Sequence, residues 1–365
     1  MSVSPALRTA VIEAGLAAGL DRLGVTTAAP FPETRLAMMG QIESGRSGRL
    51  GFTFKDPGLA TDVTASLPWA THLVVGIRSY LPESGSAPIR AGHGRIARFA
   101  VEDPYRPLRQ GLEAAASILL AAGHRAEILI DDDRLVDRAA AVRSGLGWWG
   151  KSTVVITPGL GPWFVIGSIA TDAALEVDAP MVRSCGTCEA CLPACPTGAL
   201  VAPGVLDTRR CLAAIAQSPG LIPRHWRASL GDRLYGCDDC LDACPPGFRI
   251  LAAATDERGS VGLGWILTAA DRTLVDRFSH FYLPGRSARI LRRNALVAMG
   301  NDRGQEFVAP VSLHVGHPDW LLRAHAVWAL ARLGGNSVVP VLRDQLRHER
   351  HPDVRGEIET ELAAL

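Results

Sequence analysis

The sequence that decides the fold is Cys185-Gly-Thr-Cys188-Glu-Ala-Cys191-Leu-Pro-Ala-Cys195-Pro196. It sets four cysteines at the spacing C-x2-C-x2-C-x3-C and places proline directly after the last of them. A second run, Cys237-Asp-Asp-Cys240-Leu-Asp-Ala-Cys244-Pro245, repeats the C-x2-C step and the final Cys-Pro pair. Cys211 lies between the runs and completes the eight cysteines of the chain, all of which fall within residues 185–244.

The spacing is typical of bacterial ferredoxins, in which cysteine thiolates hold 4Fe–4S clusters. Short C-x2-C steps wrap one loop around three irons of a cubane, and the fourth thiolate comes from elsewhere in the chain. In two-cluster ferredoxins the fourth cysteine of each run ligates the other cluster. We therefore predict two 4Fe–4S clusters. The first would be held by Cys185, Cys188, Cys191 and Cys244, and the second by Cys195, Cys211, Cys237 and Cys240.

Two other interpretations of the cysteines are open. Disulfides would suit a secreted chain, but the segment from Met1 to Arg8 leads into an amphipathic helix without an uninterrupted apolar core or a cleavage site. Structural zinc uses C-x2-C pairs, although zinc sites rarely show three evenly spaced cysteines followed by Cys-Pro. No apolar run approaches the roughly 18 residues that span a membrane. We expect a reducing, cytoplasmic setting and no membrane partner.

Size and charge limit the class of protein. The 365 residues suggest two or three domains, and a hydrophobic content of 47% is ample for sizeable cores. The formal net charge of +1 gives no global field that would attract nucleic acid, so any basic patch must be local. Lysine occurs only at Lys55 and Lys151, and arginine supplies the remaining positive charge.

Residues 1–180 alternate helix and strand signals, which predicts an α/β or α+β domain. Buried strands are expected at residues 71–77, 127–130, 153–156 and 163–169. Helices are expected at residues 106–123 and 134–143, the first with its apolar residues on one face.

Residues 285–365 contain an internal repeat. Leu291, Ala295 and Ala298 match Leu322, Ala326 and Ala329 at an offset of 31, and His317-Pro-Asp319 recurs as His351-Pro-Asp353 at an offset of 34. Helical pairs that repeat near this length are typical of HEAT-like solenoids. A single non-repetitive helical bundle is the alternative. So few units cannot stand alone, and we expect them to pack on the cysteine module.

The segment Gly145-Leu-Gly-Trp-Trp-Gly150-Lys151-Ser152 matches the P-loop pattern G-x4-G-K-S. A P-loop leaves a strand and opens a helix, so that helix N–H groups face phosphate. Here a predicted helix precedes the segment and a predicted strand follows it. We therefore expect no nucleotide hydrolysis, and we interpret the glycines as letting the backbone approach a flat, bulky ligand.

Several segments resemble the epoxyqueuosine reductase family, and together they cover nearly the whole chain. They are Arg98-Phe99-Ala100, Ile130-Asp131, the stretch from Arg143 to Lys151, the cysteine module and the terminal repeats. The resemblance implies an oxidoreductase that uses cobalamin and two 4Fe–4S clusters to convert epoxyqueuosine to queuosine in tRNA. The reaction would remove the epoxide oxygen with two electrons and two protons. The electrons would come from a low-potential donor that the sequence does not identify.

The resemblance also implies the organisation of the chain, which we expect to be an α+β monomer. Residues 1–180 would form an α/β cobalamin-binding catalytic domain, and residues 181–250 a bacterial-ferredoxin-like module with two clusters. A connecting segment would follow at residues 251–284. Residues 285–365 would form HEAT-like helical repeats that help to hold the tRNA anticodon stem-loop.

The resemblance implies a set of site residues. Asp131 would be the proton donor and a cofactor contact, and Arg98, Lys151, Val155 and Asp238 would contact cobalamin. Structural roles are open for three of them: a surface ion pair for Arg98, a solvated loop cation for Lys151 and core packing for Val155. Asp132 and Asp133 are interpreted as solvated acids that cap the following helix.

Four arginines form a local basic cluster before the first repeat: Arg286, Arg289, Arg292 and Arg293. A solvated helix face is one interpretation. Contact with tRNA phosphates is the other, because the planar guanidinium group binds phosphate with two hydrogen bonds.

The chain departs from the family's pattern at Pro104, Arg106, Leu241 and Gly247, several of which are expected near the base or the cofactor. These departures leave the predicted electron-transfer core intact, but they affect the part of the site that would determine the identity of the substrate. Two other functions therefore stay open. One is a cobalamin iron–sulfur reductase of a different small substrate, such as an epoxide or a halide. The other is a non-catalytic iron–sulfur electron carrier whose repeats dock a redox partner.

Overall fold

The computed structural model describes residues 4–48, 54–81, 90–251 and 259–365, and the chain divides into two compact units. Unit 1 comprises Met1–Gly85, Glu102–Arg209 and Asp239–Thr255, and unit 2 comprises Ser86–Val101, Arg210–Asp238 and Asp256–Leu365. Residues 1–3 of the N-terminal segment and residues 252–258 of the predicted connecting segment lie outside the described residues. The predicted domain boundaries stay a prediction.

The strands follow one another along the chain as β1 (Arg22–Thr27), β2 (His72–Ser79), β3 (His93–Ile96), β4 (Ala126–Leu129), β5 (Trp148–Trp149), β6 (Val155–Ile156), β7 (Phe164–Thr171), β8 (Leu200–Ala202), β9 (Val205–Leu206), β10 (Arg233–Tyr235) and β11 (Gly259–Gly262). The predicted strands at residues 71–77, 127–130, 153–156 and 163–169 correspond to β2, β4, β6 and β7.

The α-helices are α1 (Pro5–Ala17), α2 (Pro32–Glu43), α3 (Pro57–Ala60), α4 (Val63–Ser66), α5 (Tyr105–Ala121), α6 (Asp137–Arg143), α7 (Cys191–Ala194), α8 (Leu212–Gln217), α9 (Arg224–Leu230), α10 (Asp239–Asp242), α11 (Pro245–Leu251), α12 (Leu263–Thr268), α13 (Asp271–Arg277), α14 (Arg289–Asp302), α15 (Val308–Val315), α16 (Trp320–Gly334), α17 (Val339–His348) and α18 (Pro352–Ala364). Within the described part of the chain, no helix is both long enough and apolar enough to cross a lipid bilayer.

The centre of unit 1 is a four-stranded sheet of order β1-β2-β7-β4, in which every neighbouring pair is antiparallel. Successive side chains point to opposite faces of a strand. Leu73, Val75 and Ile77 of β2 therefore join one apolar cluster, and Val74 joins another. Because both faces are covered, the buried middle of β2, from Leu73 to Ile77, carries no polar side chain. Antiparallel pairing throughout agrees with the α+β class.

Two helices cover the faces of this sheet. Leu108, Leu112 and Leu119, which lie on one side of α5, are fully buried in the cluster that contains Val74. Helix α6 contributes its small buried residues, Ala139 to Ala141, to the other cluster. The side-chain spacing of α5 follows the helical period that the sequence predicts for residues 106–123.

Helix α6 begins at Asp137, later than the predicted start at residue 134. Asp131 has a φ of +49°, which is incompatible with a right-handed helix. The Asp132 carboxylate accepts hydrogen bonds from the backbone N–H and the guanidinium group of Arg134. Such local side-chain bonds compete with helix formation. Val136 directly precedes the helix, so the interpretation of Asp132 and Asp133 as its capping residues is wrong.

Strands β5 and β6 form a hairpin, and the segment that leads into it follows helix α6. The order of elements is therefore the reverse of a P-loop, as expected. A Cβ on Gly147 would lie 2.5 Å from the Ile156 carbonyl oxygen, and a Cβ on Gly150 would lie 2.9 Å from the Val154 carbonyl oxygen. The hairpin itself therefore requires glycine at these two positions, and the approach of this backbone to a flat ligand stays a prediction.

Unit 2 holds β3 between β10, to which it is parallel, and β11, to which it is antiparallel. The repeat positions recognised in the sequence are all buried on α14 and α16: Leu291, Ala295, Ala298, Leu322, Ala326 and Ala329. Helix α14 also packs against α8, α9 and β10. The repeats therefore share a core with residues 212–235.

The arginines of the basic cluster before the first repeat do not share one free surface. Arg293 is 1% exposed, and its guanidinium group donates hydrogen bonds to the carbonyl oxygens of residues 215, 216, 218 and 220. Arg292 pairs with Asp271, and Arg289 pairs with Asp319. The prediction that Arg293 contacts tRNA phosphate is wrong, because its donors satisfy backbone carbonyls inside unit 2.

Candidate functional site

Four cysteines of unit 1 lie close together: Cys185, Cys188, Cys191 and Cys244. All are free thiols, and Cys191 and Cys244 are buried. Burial raises the pKa of the Cys244 thiol, and the nearby Cys185, Cys191 and Cys188 raise it further. Burial likewise raises the pKa of Cys191, with Cys185 and Cys188 acting in the same direction. Four thiolates so placed repel one another and gain stability from a shared cation, which fits the predicted first cluster.

Local packing brings the two cysteine runs together. Helix α7 begins at Cys191, and the short helix α10, just before Cys244, packs against it. After Cys244, the Gly247 carbonyl oxygen accepts a hydrogen bond from the buried Trp163 indole at 3.1 Å. A Cβ on Gly247 would lie 2.9 Å from Pro162 and 3.0 Å from the Leu241 carbonyl oxygen. Glycine at this departure from the family's pattern is thus explained by packing.

Cys195 lies in a different electrostatic setting. Burial alone would raise the pKa of its thiol, but hydrogen bonds from Thr197 and from the backbone N–H groups of Leu200 and Ala199 outweigh it and lower the pKa. The Ala199 nitrogen lies 3.2 Å from the Cys195 sulfur. Backbone N–H donors of this kind stabilise cluster thiolates. The assignment of Cys195, Cys211, Cys237 and Cys240 to one cluster stays a prediction.

Trp148 packs beside the first four cysteines. Its ring joins a small buried cluster with Ile156 and Cys244, against which Cys185 also packs. The Trp148 indole nitrogen is buried and has no hydrogen-bond partner among the described residues. Leaving a buried donor unsatisfied costs about 1–3 kcal/mol. A 4Fe–4S cluster held by these cysteines would bring sulfur acceptors beside this donor, so the residues present fit the group.

Replacing Trp148 with Phe is expected to lower the midpoint potential of this cluster. The variant keeps an aromatic ring but loses the N–H donor, and donors to cluster sulfur stabilise the additional negative charge of the reduced state. A redox titration followed by electron paramagnetic resonance measures the shift. Trp149→Phe, at the neighbouring and 43% exposed indole, is the control. Equal potentials in wild type and Trp148→Phe would contradict the assignment.

Asp131 follows strand β4 and lies in a second group of polar residues in unit 1. The residue as a whole is exposed, yet desolvation of its carboxyl group raises its pKa. Arg138 lowers that pKa and Asp132 raises it, both to a smaller degree. The net effect favours the protonated form, which is the form that a proton donor requires.

The Arg138 side chain lies near Asp131 and Thr153, two residues whose backbone φ angles are positive. Of the described residues other than glycine, only Asp131, Thr153, Arg286 and Arg303 have a positive φ. The Arg138 guanidinium donates a hydrogen bond to the Thr153 carbonyl oxygen at 3.3 Å and is also close enough to Asp131 to lower its pKa. Backbone strain of this kind concentrates at functional sites. Asp131, Arg138 and Thr153 thus converge in one region of unit 1.

Lys151 and Val155 are two further residues of unit 1 that lie close to the cysteine group and to the polar group around Asp131. The Lys151 ammonium lies 3.4 Å from Glu189 and lowers the pKa of Cys191, although burial outweighs it. Lys151 is 21% exposed at its side chain, so it is not a fully solvated loop cation. Val155 is 3% exposed and packs in the core of unit 1, opposite Trp149 in the hairpin. Their contacts with cobalamin stay predictions.

Arg98 and Asp238 meet within unit 2. The Asp238 carboxylate accepts a hydrogen bond from the Arg98 backbone N–H at 2.8 Å and pairs with its guanidinium group at 3.4 Å. Arg98 is 3% exposed, so the ion pair is buried and the alternative of a surface pair is wrong. The structure brings together these two residues from distant parts of the sequence, and their cofactor contact stays a prediction.

Sequence reasoning missed Asp137, Arg138 and Trp148. Asp137 and Arg138 lie inside a stretch predicted as uniform helix, where charged residues usually face solvent. Nothing in the sequence separates Trp148 from the other tryptophans of the chain. Only the fold shows that polar atoms of Asp137 and Trp148 are buried without a hydrogen-bond partner among the described residues, and that Arg138 bonds the Thr153 carbonyl oxygen.

Two family profiles match parts of the chain. The profile described as a 4Fe-4S double cluster binding domain matches residues 184–247, and the profile described as HEAT repeats matches residues 285–363. The first confirms the prediction of two 4Fe–4S clusters over disulfides and zinc. The second confirms HEAT-like repeats over a single non-repetitive bundle.

Relatives named epoxyqueuosine reductase match the chain over most of its length. The Staphylococcus aureus protein is 30% identical over 342 residues, which cover 90% of this chain and 89% of the relative. The Bacillus cereus protein is 28% identical over 372 residues, which cover 98% and 97%. The Xanthomonas campestris pv. campestris protein is 36% identical over 255 residues, which cover 66% and 70%.

Solved structures of epoxyqueuosine reductases also match this chain over nearly its whole length. A crystal structure of epoxyqueuosine reductase with a tRNA-Tyr epoxyqueuosine-modified tRNA stem loop has a TM-score of 0.90 and 27% identity, and the match covers 98% of each chain. A Bacillus subtilis epoxyqueuosine reductase with its catalytic aspartate loop swung out of the active site has a TM-score of 0.90 and 28% identity, over 98% of this chain and 99% of that one. With its double-cluster module, its α+β fold and its HEAT repeats, this chain belongs to the epoxyqueuosine reductase family of oxidoreductases.

Proposed function

We propose that this protein reduces epoxyqueuosine to queuosine in tRNA, using cobalamin and two 4Fe–4S clusters. The observation that carries the proposal is the match to the reductase solved with an epoxyqueuosine-modified tRNA stem loop, which covers 98% of both chains. The enzyme is proposed to act on the anticodon stem-loop of tRNA in the cytoplasm as a monomer, and to receive its electrons from a low-potential donor.

The cysteine modules supply the route for electrons. Clusters held by thiolates in partly buried settings reach low potentials, and Cys191 and Cys244 are both buried. Cobalamin, when bound, supplies a strongly reducing metal centre. Trp149 supports a site for its flat ring system, because this indole is 43% exposed beside Val155 on the hairpin. An exposed aromatic face of this kind offers apolar contact to a planar ligand.

Residues of this chain would then donate protons to the substrate and position the proton donor. Asp131 is proposed to protonate the oxygen that leaves the epoxide, because desolvation keeps its carboxyl group protonated to higher pH than an exposed aspartate. A related enzyme with a catalytic aspartate loop supports an acid of this type. Arg138 and the positive φ of Asp131 are proposed to hold that carboxyl group in place.

Purified protein tests the proposal in two steps. Anaerobically prepared enzyme should show corrin absorption beside the iron–sulfur shoulder, which a bare electron carrier would lack. With a chemical reductant it should convert epoxyqueuosine in a tRNA stem-loop to queuosine. Corrin absorption without conversion of the stem-loop would instead favour the reductase of a different small substrate.

A further inference from the structure

Residues 212–236 join two of the predicted ligands of the second cluster, Cys211 and Cys237. They belong to unit 2, as do the helical repeats. Helix α8 directly follows Cys211, and the Ile215 N–H donates a hydrogen bond to the Cys211 carbonyl oxygen at 2.9 Å. Strand β10 ends at Tyr235, shortly before Cys237. The positions of α8 and β10 therefore determine where the backbone of each cysteine lies.

Arg293, a residue of α14 in the first repeat, holds the end of α8. Its guanidinium group donates hydrogen bonds to four carbonyl oxygens: those of Ile215 at 3.1 Å, Ala216 at 3.0 Å, Ser218 at 2.6 Å and Gly220 at 2.8 Å. The last carbonyl groups of a helix have no partner within the helix itself. One side chain from the repeats thus satisfies acceptors at the end of α8 and in the turn that follows it.

Asn294, the next residue of α14, connects α8 to β10. Its side-chain nitrogen donates hydrogen bonds to the Ala216 carbonyl oxygen at 2.9 Å and to the Leu234 carbonyl oxygen at 2.7 Å. Its side-chain oxygen accepts hydrogen bonds from the Nε and Nη2 atoms of Arg293 at 3.0 and 2.8 Å. The two side chains therefore form one network, which joins the two segments that carry the predicted ligands.

Packing alone does not require an arginine at position 293. Arg293 is 1% exposed and Asn294 is 0% exposed, and Arg293 has no carboxylate partner within the described part of the chain. Burying a guanidinium group is costly unless its donors are used. An apolar side chain would fill the space without that cost. The carbonyl oxygens that Arg293 holds explain why an arginine is buried here.

Other residues of the repeats hold the middle of the same segment. The Asn301 side-chain nitrogen, also on α14, donates hydrogen bonds to the carbonyl oxygens of Arg227 at 2.8 Å and Gly231 at 3.0 Å. The buried His325 ring of α16 accepts a hydrogen bond from the Ile222 N–H at 3.2 Å. Helices α14 and α16 therefore fix this segment at several points along its length.

We propose that Arg293 and Asn294 are positioning residues for the second cluster, and that the repeats are needed to assemble it because these two side chains determine where Cys211 and Cys237 lie. The inference rests on the proposed function, in which both cysteines ligate one cluster, but not on the identity of the substrate. Both residues act through the backbone of α8 and β10. The repeats thereby have a role in electron transfer in addition to their proposed contact with tRNA.

Iron analysis after anaerobic reconstitution tests the positioning role without substrate. Arg293→Met fills similar space but leaves the carbonyl oxygens without a donor, so iron should fall from about eight to about four atoms per chain. Asn294→Asp keeps an acceptor for Arg293 but loses the two donated hydrogen bonds, and it should also deplete the second cluster. Arg293→Lys keeps the charge with a single nitrogen, and it should restore less than half of the lost iron.

Combination with cysteine substitutions identifies the cluster that is lost. Arg293→Met together with Cys211→Ser should still bind the roughly four irons of the first cluster, because both changes affect the second cluster only. Arg293→Met together with Cys244→Ser should bind almost no iron, because each change removes a different cluster. The opposite pattern would mean that Arg293 supports the first cluster, and it would overturn the proposal.

Leu342→Ala is the control for a general loss of stability. Leu342 is 0% exposed on α17, and its truncation should lower the unfolding temperature of the repeats while both clusters are kept. The proposal is overturned by equal loss of the second cluster in Leu342→Ala and Arg293→Met, or by complete rescue in Arg293→Lys. It is also overturned if Arg293→Met keeps both clusters or loses both. Selective loss of the second cluster in Arg293→Met, with wild-type enzyme that leaves the stem-loop unconverted, would refute the proposed function and not the positioning role.

Discussion

Replacement of Cys244 by Ser is expected to remove one cluster, so that iron falls from about eight to about four atoms per chain. Cys244 is 7% exposed and lies close enough to Cys185, Cys188 and Cys191 for their charges to raise its pKa. Serine is a harder and far less acidic ligand than cysteine, and a cubane missing one thiolate is readily lost. Electron delivery, and with it turnover, should fall to background.

Iron analysis after anaerobic reconstitution measures this result. The matched control is Cys211→Ser, because the cysteine spacing assigns Cys211 to the other cluster. Each single variant should keep one cluster, and the double variant should keep neither. Two clusters retained in Cys244→Ser, or both lost in each single variant, would show that the ligand assignment is wrong.

Replacement of Asp131 by Asn is expected to lower turnover by roughly 10²–10⁴-fold, the usual contribution of a general acid. Asparagine keeps the shape of the side chain but cannot give a proton to the departing oxygen. Wild-type turnover should also fall as the pH rises through the pKa of Asp131, because only the protonated acid acts and desolvation places that pKa above the usual value for aspartate.

Single-turnover assays across pH measure both effects. Iron content and the cluster spectra of Asp131→Asn should match those of the wild type, and Asp133→Asn should turn over normally. Near-normal turnover in Asp131→Asn with intact clusters would mean that the proton comes from another group, and Tyr105 would be the next candidate.

The cysteine module and the repeats could be predicted because their sequence patterns are local. The size of an iron–sulfur cubane determines the spacing of the C-x2-C steps. The period of stacked helices determines the distance between Leu291 and Leu322. Neither pattern depends on how distant segments meet. The family profiles for a double cluster domain and for HEAT repeats confirm both predictions.

Polar residues were harder to place, because their burial depends on distant contacts. Arg293 looks like part of a solvated basic cluster, yet its donors are used by carbonyl oxygens of residues 215–220. Asp137 looks like an ordinary acid in the first turn of a helix. Its Oδ1 atom is nevertheless buried, and the turn at Asp131 and Asp132 delays the start of α6.

Asp131 directly follows the strand predicted at residues 127–130, and in parallel α/β sheets functional sites gather at the carboxyl ends of strands. Strand β4 instead pairs antiparallel with β7 at the edge of its sheet. What supports Asp131 is its desolvated carboxyl group and its neighbours Asp137 and Arg138.

Nucleoside analysis of tRNA from a strain that lacks this gene tests the central claim most directly. The account predicts that epoxyqueuosine accumulates in place of queuosine, and that the wild-type gene restores queuosine while the Cys244→Ser gene does not. Normal queuosine and no epoxyqueuosine in the deletion strain would contradict the proposed reaction.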